Sequence, residues 1–119
     1  MERARFIDHC GKRIFLLDCT AASVDEIHDM IEECARQVRV QPPQSVLTLT
    51  VAGGGKFAPE TIQKLKELTR GNKPYVKASA VVGITGLYKV VISAVSLFSE
   101  RRFHMFDSVE EAKDFLASY

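Results

Sequence analysis

Short apolar runs alternate with segments of helical periodicity along the chain. Residues 5–9 and 13–19 are two such runs, and Gly11-Lys12 between them predicts a β-hairpin with a tight turn. Three more apolar runs predict strands at 46–51, 75–83 and 103–106. The helical patterns that follow each later strand give the order β-β-α-β-α-β-α-β-α. This order predicts an α/β fold in which an N-terminal β-hairpin feeds a mostly parallel, about five-stranded sheet with four helices.

Local signals indicate where three of the helices begin. Ser23 with Glu26, and Ser108 with Glu111, have the spacing of a capping box, in which the two side chains hydrogen-bond to each other's backbone N–H groups. Pro59 occupies the first turn of the helix after the third strand, a position where its missing N–H costs nothing. We therefore expect helices to begin next to these residues.

Composition and charge exclude several classes of function. The chain has 119 residues, 46% hydrophobic and 26% charged, which is typical of one globular domain spanning 1–119. The net charge is +1 and only 8% of the residues are aromatic, which argues against nucleic-acid binding. The three cysteines are widely spaced, and the first residues lack the apolar stretch of a signal peptide. We therefore expect a cytoplasmic location. The most apolar stretch is divided by Gly83, Gly86 and Lys89, so no transmembrane segment is predicted.

The order of strands and helices resembles the STAS domain of bacterial anti-sigma-factor antagonists. Leu17-Asp18 at the end of the second strand agrees with it, as does the sequence Phe-Asp-Ser-Val-Glu-Glu-Ala at 106–112. The sequence Ala-Val-Val-Gly-Ile-Thr-Gly-Leu at 80–87 is similar to an uncharacterised bacterial subgroup of STAS-like proteins, related in fold to CRAL-TRIO lipid-binding domains. The resemblance spans essentially the whole chain. It implies a non-catalytic interaction or regulatory module, because that is the role of the antagonists.

One loop departs from the family pattern. In the signalling antagonists, a Ser or Thr in the loop after the third strand is phosphorylated by the partner kinase. Here that loop is Ala-Gly-Gly-Gly-Lys-Phe at 52–57, which has no hydroxyl side chain, and the next hydroxyl is that of Thr61 inside the predicted helix. The resemblance therefore implies a module without the usual phospho-switch.

The same loop is a candidate anion or ligand site. Gly53, Gly54, Gly55 and Lys56 lie between a strand and a helix N-terminus, where free N–H groups and the helix dipole favour a negative charge. The loop is not a phosphate-binding GxxxxGK[ST] motif, because neither the spacing nor the final hydroxyl is present. The alternative is a tight connection that needs glycine for its backbone geometry alone.

The residue types that carry catalysis or bind metals are scattered along the chain. The histidines and cysteines of the chain are His9, His28, His104, Cys10, Cys19 and Cys34. No pair among them has the spacing of a metal site. No GxSxG motif is present, and Asp18 at the end of a strand is expected to form a local turn hydrogen bond. We therefore predict a protein that is not an enzyme, with no catalytic residue, no metal and no cofactor.

The helix predicted at 86–99 is apolar around most of its circumference. One face contains Leu87, Val90, Val91, Ala94 and Phe98. The residues around that face are also apolar, so the helix has more apolar surface than a sheet alone can cover. The candidate partner or ligand surface consists of Tyr88, Ile92, Val95, Leu97, Arg101 and Arg102.

Three explanations of this helix stay open. The neighbouring helices can bury the excess apolar surface. A protein partner can cover it, and the first candidate is another copy in a homodimer. A lipid or other apolar ligand, or a membrane surface, can also contact it, with Arg101 and Arg102 meeting phosphate head groups. The second explanation predicts an interaction module, and the third predicts a small carrier or sensor.

Overall fold

The computed structural model describes the backbone of residues 1–119 and every side chain except that of Leu87. Five strands and four helices occur in the predicted order. Each end that the sequence predicts lies within one residue of the end in the structure. The elements are β1 (Ala4–His9), β2 (Lys12–Asp18), α1 (Val24–Val38), β3 (Val46–Val51), α2 (Pro59–Asn72), β4 (Val76–Val82), α3 (Leu87–Ser99), β5 (His104–Phe106) and α4 (Val109–Ala117). A short 3₁₀ turn at Lys73–Tyr75 leads into β4.

The sheet is mixed, and its strand order follows the chain from β1 to β5. β1 pairs antiparallel with β2 at one edge, and every later pair is parallel. The α/β fold with an antiparallel edge strand is therefore confirmed. The hairpin turn differs from the prediction by one residue, because Cys10 and Gly11 form it and Lys12 already belongs to β2.

The helices cover both faces of the sheet. Each crossover steps in the same direction along the sheet, so α1 and α2 pack on one face, where Phe15, Ile27 and Leu68 meet in one core cluster. α4 packs on the opposite face, where Ala112 and Leu116 meet side chains such as Ile14, Leu49 and Ala80. The middle strands therefore bury side chains on both faces, as their nearly continuous apolar runs indicate.

The predicted helix starts are confirmed. Ser23 Oγ accepts a hydrogen bond from the Glu26 N–H, and Glu26 accepts one from the Ser23 N–H. Hydrogen bonds that the Glu26 carboxylate accepts from Ser23, above all from its backbone N–H, favour the ionised form and lower the pKa of Glu26. Ser108 Oγ accepts from the Glu111 N–H in the same way, and Pro59 is the first residue of α2. Local capping and helical periodicity were therefore sufficient to place these elements.

Candidate functional site

A partly open cavity lies between α3 and the sheet. Its volume is about 80 Å³, and its walls are almost entirely hydrocarbon. α3 supplies Tyr88, Val91, Ile92 and Val95 to the walls, and the sheet supplies Val81. Side chains of α1 and α2, among them Met30 and Leu65, complete the walls of the cavity. α3 thus covers a gap in the core on this face of the sheet.

The outward-facing side of α3 is also apolar. The side chain of Leu97 is 83% exposed and that of Val90 is 67% exposed. Met105 on β5 is exposed beside them, and one groove is lined by Ile92, Leu97, Phe103 and Met105. We call Lys89, Val90, Ser93, Leu97 and Glu100 the outer surface of α3, since all five are exposed.

The structure divides the candidate surface predicted from the sequence. Val95 is only 2% exposed and lines the cavity together with Tyr88 and Ile92, which is the position expected of an apolar-ligand surface. Ile92 also lines the outer groove beside Leu97. Leu97 and Arg102 are exposed, as the prediction requires. Val90 and Phe98, placed by periodicity on the opposite face, are exposed instead. The side chain of Leu87, predicted on that face too, lies outside the described residues.

The physical reason for this correction is the composition of the helix. Both sides of α3 are apolar, so the periodicity shows two faces but not which of them points inward. In the structure Val95 and Ser99 face the interior. Phe98 lies beside α2, where Lys66 Nζ and Arg70 Cζ are 5.7 Å and 5.4 Å from the centroid of its ring.

The first turn of α3 is attached to the glycine loop. The Tyr88 hydroxyl donates a hydrogen bond of 2.7 Å to the carbonyl oxygen of Gly55. The Tyr88 ring also contacts that of Phe57 edge to face, with centroids 5.4 Å apart. These contacts join two of the predicted candidate regions, the loop and the helix, at one end of the cavity.

The loop glycines permit close packing of the backbone. A Cβ on Gly53 would lie 2.6 Å from Thr20 Oγ1, and one on Gly55 would lie 2.5 Å from the carbonyl oxygen of Cys19. The Gly55 N–H donates to Ala52, and the Lys56 N–H donates to the carbonyl of Ala22. The interpretation as a tight connection therefore has specific structural support, and two of the N–H groups that an anion would need are already bonded.

The start of α2 has few groups that could bind an anion. Pro59 has no N–H, Glu60 adds a negative charge, and the Ala58 N–H donates to Thr61 Oγ1. The Thr61 hydroxyl also lies 2.8 Å from His28 Nε2, and Thr61 is fully buried. The next hydroxyl along the sequence after the loop, that of Thr61, therefore caps the helix and is buried away from a kinase.

Arg101 has a structural role that the sequence did not indicate. Its guanidinium donates to the carbonyl of Thr69 at 3.0 Å and to Ser79 Oγ at 2.5 Å, and it lies over the ring of Phe103. Burial disfavours the charged form and lowers the pKa of Arg101 to about 10. Arg101 thus connects the ends of α2 and α3 to β4, whereas Arg102 projects into solvent.

The remaining candidates have local partners. Asp18 accepts a hydrogen bond from the Thr20 N–H, which is the turn contact expected of it. The His104 ring packs against Phe115 with centroids 4.6 Å apart. Cys19 and Cys34 are buried free thiols, and burial raises the pKa of each to about 12. Neither buried cysteine has the properties of a nucleophile.

No protein-family model, no curated protein and no solved structure matches the chain. Within the part of the chain that the structure describes, each helix is too short or too polar to cross a bilayer. The fold and site thus define an α/β protein with a mixed sheet, a covered apolar cavity and an exposed apolar helix.

Proposed function

We propose that this chain is a non-catalytic, STAS-like interaction module without the usual phospho-switch, and that the outer surface of α3 docks a second copy of the chain. The exposure of Val90 and Leu97 on one side of a single helix is the observation that carries this proposal. Large apolar side chains exposed together on one surface are typical of protein–protein interfaces.

The shape of the outer surface suits another helix. Val90 and Leu97 are seven residues apart, which puts them two turns apart on nearly the same side of α3. Ser93 lies between them with a short side chain, so a second helix can approach closely at the centre. A pair of α3 helices would therefore bury the exposed Val90 and Leu97 of both copies.

Charge favours an antiparallel, two-fold arrangement. Lys89 lies near the start of α3, and Glu100 lies just after its end on the same flank. Antiparallel packing about a two-fold axis would bring Lys89 of one copy beside Glu100 of the other, twice in each dimer. Parallel packing would not bring Lys89 of one copy beside Glu100 of the other, because the two residues lie at opposite ends of α3. The charges of the outer surface are thus complementary in the antiparallel orientation.

The covered hydroxyl supports the regulatory part of the proposal. Residues 52–57 contain no phosphorylatable side chain, and Thr61 is buried against His28 and Ala58. Phosphate on Thr61 would require the start of α2 to open. The module we propose therefore binds its partner without the kinase-controlled step of the signalling antagonists.

The test compares two exposed apolar residues. Val40 is 77% exposed at the far end of α1 and is the matched control for Leu97. We expect Leu97→Glu to raise the dimer dissociation constant at least tenfold in sedimentation equilibrium, while Val40→Glu leaves it unchanged and both variants keep the wild-type circular dichroism spectrum. Equal effects of the two variants, or none, would contradict the proposal.

A charge exchange tests the orientation. Lys89→Glu alone places two acidic groups together in the antiparallel dimer, and we expect it to weaken association. Adding Glu100→Lys restores opposite charges, and we expect the double variant to recover most of the affinity. Failure of the double variant to recover would exclude the antiparallel pair.

The cavity favours a second candidate function, a small carrier or sensor of an apolar ligand. Its 80 Å³ is well below the ~300–1,000 Å³ of pockets for drug-sized molecules, so a lipid would enter only if α3 moved away from the sheet. The exposed Lys56 and Arg102 are the cations that would meet a polar head group or a membrane surface. Ligand retained in the gently purified protein, and lost when Val81→Ile reduces the cavity, would support this function.

A further inference from the structure

Three different metal-binding side chains meet at the end of the hairpin. His9 ends β1, Cys10 lies in the turn, and Asp114 comes from α4 on the neighbouring face. The Nε2 atom of His9 lies 2.9 Å from Oδ1 of Asp114. One ligand atom from each of the three residues lies within 4.8 Å of the others.

This cluster is a product of the fold. His9 and Asp114 are 105 positions apart in the sequence, so no spacing motif indicates them, and the sequence accordingly predicts no metal site. The packing of α4 against the sheet brings them together. Both Cys10 and Asp114 are exposed, whereas His9 is half-buried, so a metal ion can reach the ligand atoms from solvent.

Cys10 is an unusual residue for its position. Cys10 and Gly11 have φ values of +50° and +78°, and His9 pairs directly with Lys12 across the two-residue turn. Turns with two positive φ values favour Asn-Gly, because Asn tolerates this conformation better than other residues with a side chain. The turn itself does not need a thiol.

The other soft ligands of the chain are less suitable. Cys19 and Cys34 are buried in the core, away from solvent. His28 contacts the Thr61 hydroxyl, and the His104 ring packs on Phe115. Among the described residues, His9, Cys10 and Asp114 form the set in which imidazole, thiol and carboxylate converge.

We propose that His9, Cys10 and Asp114 bind a divalent transition metal ion, of which zinc has the best match to this mixed N, S and O set. In a tetrahedral zinc site the ligand atoms lie about 3.3 to 3.7 Å apart, so rotation of the exposed Cys10 and Asp114 side chains completes the geometry. The ion replaces the thiol proton of Cys10, which is released to solvent. Water occupies the fourth position. The site would connect the hairpin to α4, and it is independent of the proposed docking of α3.

Cobalt(II) and zinc(II) are the probes for this site. Titration of the reduced protein with Co²⁺ in a thiol-free buffer should produce the sulfur-to-cobalt charge-transfer band, saturating at one ion per chain. We expect Cys10→Ser to abolish the band and His9→Gln or Asp114→Asn to weaken Zn²⁺ binding at least tenfold in calorimetry. Glu110→Gln on the same helix and Cys34→Ser in the core are the controls, and both should bind as the wild type does.

A measurement on the wild-type chain removes any dependence on how the variants fold. We expect one equivalent of Zn²⁺ to slow the alkylation of Cys10 at least tenfold, and EDTA to restore the rate. No binding tighter than ~100 μM, an alkylation rate unaffected by Zn²⁺, or a Zn²⁺ affinity that survives both His9→Gln and Asp114→Asn would overturn the proposal.

Discussion

The hydroxyl of Tyr88 donates a 2.7 Å hydrogen bond to the backbone carbonyl of Gly55. This bond connects the first turn of α3 to the loop that precedes α2, across 33 positions of sequence. Tyr88 lines the cavity, and Gly55 and Tyr88 together line a second groove that also contains Phe57. Tyr88 therefore holds the start of α3 in place over the gap in the core.

Tyr88→Phe removes this bond and keeps the ring contact with Phe57. Net loss of a hydrogen bond to a neutral carbonyl costs about 1 kcal/mol, so we expect the free energy of unfolding in urea to fall by that amount. Hydrogen exchange should accelerate in the first turns of α3 more than in α1. Tyr75→Phe is the control, since the described residues offer its hydroxyl no partner, and it should change neither quantity.

Val81→Ile adds one methylene on the side of β4 that faces the cavity. Filling empty apolar space gains about 0.8 kcal/mol per buried methylene, so we expect a stabilisation of up to about that size in urea unfolding. Val82→Ile makes the same change on the opposite face, where α4 packs. Because that face is filled, we expect a neutral or destabilising effect there. Equal effects at both positions would show that the cavity does not exist in solution.

Arg101→Lys tests the connection between α2, α3 and β4. A lysine cannot reach the Thr69 carbonyl and Ser79 Oγ with the planar fork of a guanidinium, so we expect a loss of about 1 to 3 kcal/mol in the free energy of unfolding. Arg102→Lys keeps an exposed charge and should be neutral. A neutral Arg101→Lys would mean that these hydrogen bonds do not form.

The buried thiols of Cys19 and Cys34 make stability fall in mild alkali. The pKa of each rises from 9.0 to about 12, so between these values the unfolded chain releases protons that the folded chain retains. The contribution of the two thiols to stability is therefore present below pH 9 and is lost progressively above it, by on the order of 1 kcal/mol per thiol at pH 9.5. Arg101, whose pKa of about 10 lies below its ordinary value, acts in the opposite direction mainly above pH 10.

Urea unfolding at pH 7.0 and pH 9.5 measures this decline. Cys34→Ala removes one of the two thiols, and we expect it to halve the fall in unfolding free energy whatever its effect at pH 7.0. Cys10→Ala removes an exposed thiol and should leave the fall unchanged. A fall that Cys34→Ala does not reduce would contradict the assignment.

The elements of the fold followed from short-range patterns. The Ser23 and Ser108 caps, Pro59 and the apolar runs placed strands and helices to within a residue, because each signal acts over a few positions. The orientation of α3 did not follow, since a helix with Val90 outside and Val95 inside is apolar on both sides. Polar residues confined to one side of the helix would have identified the inward face.

Contacts between residues far apart in the chain could not be predicted from the sequence for a different reason. Arg101 was expected at the surface beside Arg102, and only the packing of α2 against α3 brings the Thr69 carbonyl to its guanidinium. The proximity of His9 to Asp114 depends equally on the docking of α4. Neither contact can be recognised from the spacing of the residues in the sequence.

Native mass spectrometry of gently purified protein, over a range of concentrations, tests the proposed docking of α3 most directly. We expect the 13.3 kDa chain to appear as a dimer without adducts, in a fraction that rises with concentration and drops with Leu97→Glu. A monomer at all concentrations would contradict the proposed docking of a second copy. If that monomer retained an adduct of a few hundred daltons, the apolar-ligand function would take its place.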